Sequence, residues 1–313
     1  GGFQYRTFAD GKRMWFKNGR VSRIENEKIV DAFGNTHRQD TTDMVYDKRG
    51  NLLSSKTETR DANGHITVKR WQGTYSNVPG RDRLASFTES AWDPLGNESR
   101  LERSGLVWDA EGKNLLSYSE KATDPYGAVS TRRVWDSTHD KDGNLLSFKE
   151  ESETKGVKSF REWFGASYKS AGKKKGKDEW QLTSYQEKTT DAQGRETARE
   201  WGETKYDDKG ALREYTEKTT GPDGETATKT WGDAEFDRHG NLTFFRETIK
   251  SASGRETTRV FRNGRYDDHG RVLSYEELTS EKDGPSALRV WSGGRYNERN
   301  ELLSNMEKVT DSH

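Results

Sequence analysis

The chain has 313 residues, 53 basic and 53 acidic side chains, and a formal charge of zero. That balance argues against a dedicated nucleic-acid binder, which carries a basic excess, and the absence of cysteine removes disulfides and thiolate metal sites. No apolar run approaches the ~18 residues of a membrane span, and no signal peptide is visible. Apolar residues make up only 28% and Leu, Ile, Val and Phe about 15%. Aromatics reach 11%, with 10 Trp and 12 Tyr, so the expectation is a folded chain with a thin core of rings rather than aliphatics.

In chain order, residues 1–33 read as an irregular N-terminal cap with a short hairpin from Phe3 to Phe16 around Asp10-Gly11. Residues 34–296 read as an array of β-hairpins punctuated at Gly34, Gly64, Gly96, Gly127, Gly156, Gly194, Gly224, Gly254 and Gly284, the last four 30 residues apart. A second turn keeps the same period: Tyr206-Asp207-Asp208-Lys209-Gly210, Phe236-Asp237-Arg238-His239-Gly240, Tyr266-Asp267-Asp268-His269-Gly270 and Tyr296-Asn297-Glu298-Arg299-Asn300. Such self-similarity marks a repeat array. Between turns lie runs of about 8–11 residues rich in Thr, aromatics and β-branched residues, as strands require. Gly156 to Gly194 is 38 residues, which places an insertion at 166–181 whose lysine-rich centre, Lys169 to Lys177, reads as a solvated loop. Residues 297–313 read as an incomplete final repeat, so a truncated piece of a longer array is expected. The fold class is all-β: an antiparallel hairpin meander of about 20 strands, expected to coil into a superhelix, spiral or shell because open sheets rarely exceed ~10 strands without curling.

Each first strand places a ring and then a glutamate two residues on (Phe148/Glu150, Tyr215/Glu217, Phe245/Glu247, Tyr275/Glu277). Each second strand places a base and then a ring (Lys69/Trp71, Arg161/Trp163, Arg199/Trp201, Lys229/Trp231, Arg259/Phe261, Arg289/Trp291). Period-2 alternation puts all four on one face. Matched registers would give each hairpin a ring pair and a Glu–base pair.

The segments Val45-Tyr46-Asp47-Lys48-Arg49-Gly50-Asn51-Leu52, Tyr206-Asp207-Asp208-Lys209-Gly210-Ala211-Leu212 and Arg265-Tyr266-Asp267-Asp268-His269-Gly270-Arg271-Val272-Leu273 closely resemble the tyrosine-aspartate (YD, or Rhs) repeat, whose core reads Tyr-Asp-x-x-Gly-Arg-Leu. The resemblance implies a large surface or secreted protein whose strands spiral into a shell around a toxin or serve adhesion. The chain departs from that family in its longer period, its Trp-Gly pairs (Trp201-Gly202, Trp231-Gly232) and its lack of a toxin-like segment.

Trp71, Trp163, Trp201, Trp231, Trp291, Tyr215 and Tyr275 are the candidates for an aromatic face. They form either a stacking platform for a polysaccharide, with equivalent rings about 10 Å apart, or simply the core. The Glu and Arg/Lys columns recur in every unit, which fits a salt-bridge ladder better than a catalytic carboxylate pair. Asp140-Lys141-Asp142-Gly143-Asn144 opens like a calcium loop, with Glu151 at the twelfth position, but Leu145 stands where that loop needs glycine; it reads as an ordinary turn. No metal spacing, cofactor motif or catalytic constellation is found. Leu302, Leu303 and Met306 are the candidates for a self-associating strand edge. The expected function is therefore non-enzymatic: a structural segment of a secreted or cell-surface fibre, stalk or adhesin, pairing with itself or with neighbouring repeats. The alternatives are a polysaccharide-binding module or an Rhs-like shell enclosing cargo. No cofactor, nucleic acid or membrane insertion is expected.

Overall fold

The computed structural model describes residues 3–31, 35–78, 80–174, 177–297 and 300–312. The turn glycine expected at Gly34 and the pairs Lys175-Gly176 and Glu298-Arg299 lie outside the described residues. The chain divides into two compact units, Gly1–Phe160 and Arg161–His313. Strands β1 Phe3–Thr7, β2 Arg13–Lys17, β3 Arg20–Val30, β4 Thr36–Tyr46, β5 Leu52–Arg60, β6 Ile66–Val78, β7 Arg81–Trp92, β8 Glu98–Trp108, β9 Leu115–Thr123, β10 Val129–His139 and β11 Leu145–Thr154 lie in the first unit. β12 Val157–Lys174 begins there. β13 Lys177–Thr190, β14 Glu196–Tyr206, β15 Leu212–Thr220, β16 Thr226–Phe236, β17 Leu242–Lys250, β18 Glu256–Tyr266, β19 Val272–Glu281, β20 Ser286–Tyr296 and β21 Leu302–Ser312 lie in the second. All belong to one open sheet. The registers described are antiparallel and join strands consecutive in the chain, such as β15 with β16 and β16 with β17. Among the described residues no helix is long and apolar enough to cross a membrane.

The same tight turn closes both ends of a repeat. Asp207 donates its N–H to the Ala211 carbonyl at 3.0 Å, and Gly210 donates to the Asp207 carbonyl at 3.0 Å. Asp191 with Arg195 and Gly194 with Asp191 repeat that pattern at the opposite end of the strands. This is a three-residue hairpin loop whose last member is left-handed; Gly210 has φ +86° and Gly194 φ +77°. The final turn uses Asn300 instead, at φ +65°, because asparagine tolerates that region better than other side chains. The aspartate of the motif is a turn-former. Asp237 Oδ1 accepts the N–H groups of His239 (2.8 Å) and Asn241 (2.9 Å), and Asp47 Oδ1 those of Arg49, Gly50 and Asn51. Asp140 does the same for Asp142 and Asn144, so the calcium-like opening is one more turn of this kind.

Midway along β4, β8, β10, β14, β16, β18 and β20 the ladder to the following strand is interrupted twice in compensating fashion, whereas β6 and β7 show a single shift. Between β14 and β15, Gly202 pairs with Thr216, Lys205 with Glu214 and Tyr206 with Leu212. One extra residue on β14 is followed by one extra on β15, so net register is unchanged. The bulge residue takes left-handed φ: Glu203 +52°, Asp233 +54°, Asn263 +57° and Gly293 +69°. β16–β17, β18–β19 and β20–β21 repeat the double shift.

The insertion is not a loop. β12 and β13 run to Lys174 and from Lys177, so the added residues lengthen a hairpin. They can do so because the segment from Lys169 to Lys177 contains no turn-forming Asp-x-x-Gly.

The turn carboxylates set the acid limit of the fold. The Asn51 side-chain amide, followed by backbone N–H groups, holds Asp47 below the ordinary carboxylate range, and the Ala211 N–H, with Arg213 beside it, does so for Asp207. A carboxylate whose folded pKa is depressed contributes stability above its unfolded pKa, about 3.9, and loses it as pH falls through the folded value. Urea midpoints are therefore expected to be flat from neutrality to about pH 5 and to fall steadily below about pH 4. A midpoint independent of pH down to 2 would contradict this account of the turns.

Candidate functional site

The most extended side-chain arrangement in the second unit is a column of nine rings. Trp163, Tyr185, Trp201, Tyr215, Trp231, Phe245, Phe261, Tyr275 and Trp291 follow one another with centroid separations of 5.2–5.8 Å. Backbone register explains the stacking. Tyr215 is directly opposite Trp231, and Tyr275 opposite Trp291; these hairpin pairs lie 23° and 16° from parallel. Between hairpins the ring is opposite a glutamate, as Trp201 is opposite Glu217. Its ring neighbour is then diagonal, and the planes open to 30–39°. Each contact contributes roughly 0.5–1.5 kcal/mol beyond area burial. Trp163, Phe245 and Trp291 are buried and the other rings of the column half-buried.

The expected Glu–base pairs lie beside the rings. Glu217 is opposite Lys229, and their charged atoms are 3.1 Å apart. Arg259 reaches Glu247 (3.4 Å) on one side and Glu277 (3.5 Å) on the other, and Arg199 likewise bridges Glu187 and Glu217. The bases thus join neighbouring hairpins as well as their own, and a hydrogen bond to Tyr185 helps to raise the Arg199 pKa. Among the described residues, no group of three or more His, Asp or Glu converges in a way that could hold a metal ion.

Two features of this face escape a first reading of the sequence. The rings of Phe261 and Trp291 fold over the residue three positions on, Gly264 and Gly294, and the same spacing recurs on β12, β14 and β16. That residue is small: Ala166, Thr204, Ala234, Gly264 and Gly294, with Ala166 and Ala234 only 8% and 5% exposed. A Cβ on Gly294 would lie 2.5 Å from the Val272 carbonyl and 2.6 Å from the Trp291 ring. The repeated spacing of ring and small residue was a readable signal. The Trp-Gly glycine, by contrast, has ordinary φ, and a Cβ on Gly232 would meet only the flexible Glu214 side chain, at 3.2 Å.

The second feature is the motif tyrosine. Tyr206, Tyr266 and Tyr296 donate their hydroxyls to the carbonyls of Leu182 (2.6 Å), Leu242 (2.7 Å) and Val272 (2.9 Å). The β17–β18 register runs only to Phe245–Phe261, so the Leu242 carbonyl lacks a ladder partner on that side and the phenol supplies one. Burial pushes the Tyr206 and Tyr266 hydroxyls up, keeping them protonated donors.

In the first unit Trp71 stacks on Phe87 at 6.4 Å. The next ring position holds Arg103, whose guanidinium lies 5.4 Å from Phe87 and 4.6 Å from Tyr118. A flat cation replaces an indole and keeps the stack continuous. Trp71, Trp163, Trp201, Trp231, Trp291, Tyr215 and Tyr275 all occupy the ring position of their strands. In the second unit, however, equivalent rings have another ring between them, which covers the faces a sugar would need. Leu302, Leu303 and Met306, on β21, are 47%, 65% and 70% exposed.

Gly294→Ala is expected to destabilise the protein by about 1–3 kcal/mol through overpacking, and Gly232→Ala by much less. Comparable losses in urea titrations would refute the ring-over-glycine account. Tyr266→Phe should cost about 1–3 kcal/mol by leaving the Leu242 carbonyl unpaired; a neutral substitution would contradict that role.

No family model matches the chain, and no curated protein matches it. Among solved structures, a Tc holotoxin pore of Photorhabdus luminescens is similar over 95% of this chain and 23% of that one, at 12% identity and a TM-score of 0.19. This chain therefore spans under a quarter of the length of that protein.

Proposed function

We propose that this chain is a non-enzymatic structural array, a segment of a secreted or cell-surface fibre, stalk or adhesin of YD-repeat type. The observation that carries the reading is the uninterrupted ring column, with every member stacked on its neighbours and flanked by ion pairs that join successive hairpins. Its chemistry is spent inside the sheet. From β14 to β20 each repeat offers the same groups in the same places, as a structural array requires and a catalyst does not. A glycan platform would need open ring faces, whereas these rings cover one another. Self-association completes the proposal: β21 adds a strand from a second copy beside Leu302, Leu303 and Met306.

Removing Asp207–Phe236 joins Tyr206 directly to Asp237 and restores the motif turn. The shortened chain is expected to fold with the same cooperative transition and circular dichroism per residue. Failure to fold would overturn the interchangeable-unit reading. Negative-stain microscopy of the intact chain across a concentration series should show ribbons or filaments that lengthen with concentration. Particles of constant size would remove the self-association step, and hollow compact particles would favour an enclosing shell instead.

A further inference from the structure

One repeat lacks a clamp that closes several others. At the ends of β4, β8, β16 and β20 the motif ring is covered by an arginine from near the start of the preceding strand. The guanidinium carbon lies 5.9 Å from the ring centre for Arg20 and Tyr46, 5.7 Å for Arg83 and Trp108, 4.9 Å for Arg213 and Phe236, and 5.2 Å for Arg271 and Tyr296. Each of these arginines also donates to a backbone carbonyl beside that ring, those of Asp47, Gly112, Ala234 and Asn297 in turn.

β10 ends differently. His139 is opposite Leu145, as Tyr206 is opposite Leu212, so a histidine holds the motif-ring position. Its Nδ1 is shielded from solvent and has no hydrogen-bond partner. The two places from which an arginine could cover it are also changed. Asn114 lies 25 residues before His139, as Arg83 does before Trp108 and Arg271 before Tyr296. Leu116 lies 23 residues before His139, as Arg213 does before Phe236. With a smaller ring and no guanidinium, a cavity of about 630 Å³ remains between the turns at Asp109–Lys113 and Asp140–Gly143, and Asn114, Leu116 and His139 all line it. That volume suits a small ligand, for which pockets run roughly 300–1,000 Å³.

The charges around the cavity match the group that is missing. Asp109, Glu111, Asp140 and Asp142 line it, against Lys113 and Lys141, and Lys113 is paired with Glu111 at 2.5 Å. The Lys113 N–H holds Asp109, and the Asn144 side-chain amide holds Asp140, below the ordinary carboxylate range, so both stay charged. Leu116 and the imidazole add surface against which a planar, weakly hydrated cation packs. We infer that this cavity binds a guanidinium group supplied from outside the chain, by a free guanidinium compound or by an arginine side chain of a polypeptide. Lysine is the natural competitor, since Lys169 covers the Tyr206 ring at 5.1 Å. The site lies in the first unit and uses no member of the nine-ring column, so its failure would leave the structural reading standing.

The probes are N-acetylarginine methylamide and an end-blocked glycine-arginine-glycine peptide, each with its citrulline and lysine counterpart. They are titrated into the intact chain while two-dimensional NMR follows the backbone amides of residues 109–116 and 137–143. Both arginine probes should shift these signals and bind at least about tenfold more tightly than the uncharged citrulline forms, and more tightly than the lysine forms. Equal affinity of the two arginine probes would support the assignment with a free compound as the source, and tighter binding of the peptide would support it with a polypeptide partner. Asn114→Arg puts a guanidinium where Arg83 and Arg271 stand and keeps a donor for Asp109, as Arg271 does for Asp267. It should fold, melt at a higher temperature and no longer bind the probes. Asp142→Asn, on an exposed turn residue, should bind about two- to fivefold more weakly with an unchanged thermal midpoint. No shift at these amides, equal binding of the citrulline or lysine probes, or undiminished binding by either folded variant would overturn the assignment.

Discussion

Everything in this molecule depends on the register between neighbouring strands. No described side chain is fully buried, so stability has to come from contacts within the plane of the sheet. Such contacts are useful only if like meets like on every strand pair, since a slip of one residue sends a whole set of side chains to the opposite face. The three-residue turns fix the count at each end. The twin bulges then add one residue to each of the two strands, so the register that leaves a repeat equals the one that entered it. The ring column and the alternating ions follow from that conservation.

The turns show how little sequence the constraint requires. Aspartate gathers two or three N–H groups, glycine takes the left-handed position, and tyrosine repairs the one carbonyl that the bulge leaves open. Where glycine is missing, Asn300 takes its place. Arginines then tie one repeat to the next: Arg271 donates to the Asn297 carbonyl at 3.2 Å, and Arg213 to that of Ala234. The tyrosine-aspartate signature is therefore explained as a folding device without reference to any ligand.

Much of this was legible in the sequence, for physical reasons that can be named. Period, hairpin turns and the pairing of Tyr215 with Trp231 and of Glu217 with Lys229 follow from alternation and turn chemistry alone. The bulges were not legible, because Glu203, Asp233 and Asn263 look like ordinary polar strand residues until their φ values are known. Missing the bulge hid the reason for Ala234 and Gly294, and it made the Trp-Gly glycine look more special than it is. The Lys169–Lys177 segment was misread as a loop because lysine and glycine suggest solvent, whereas the flanking strands had only to continue pairing. Arg103 was overlooked because a search for rings does not register a guanidinium, although the two share a flat face.

The ring column also has an optical consequence. Tyrosine excited in the ultraviolet passes its energy to a tryptophan at contact range far faster than it emits. Tyr185, Tyr215 and Tyr275 each stack on a tryptophan, so these three are dark in the native protein. The Phe245–Phe261 pair, 5.3 Å apart and 9° from parallel, absorbs at higher energy than either neighbouring chromophore type and so separates the column into two antennas.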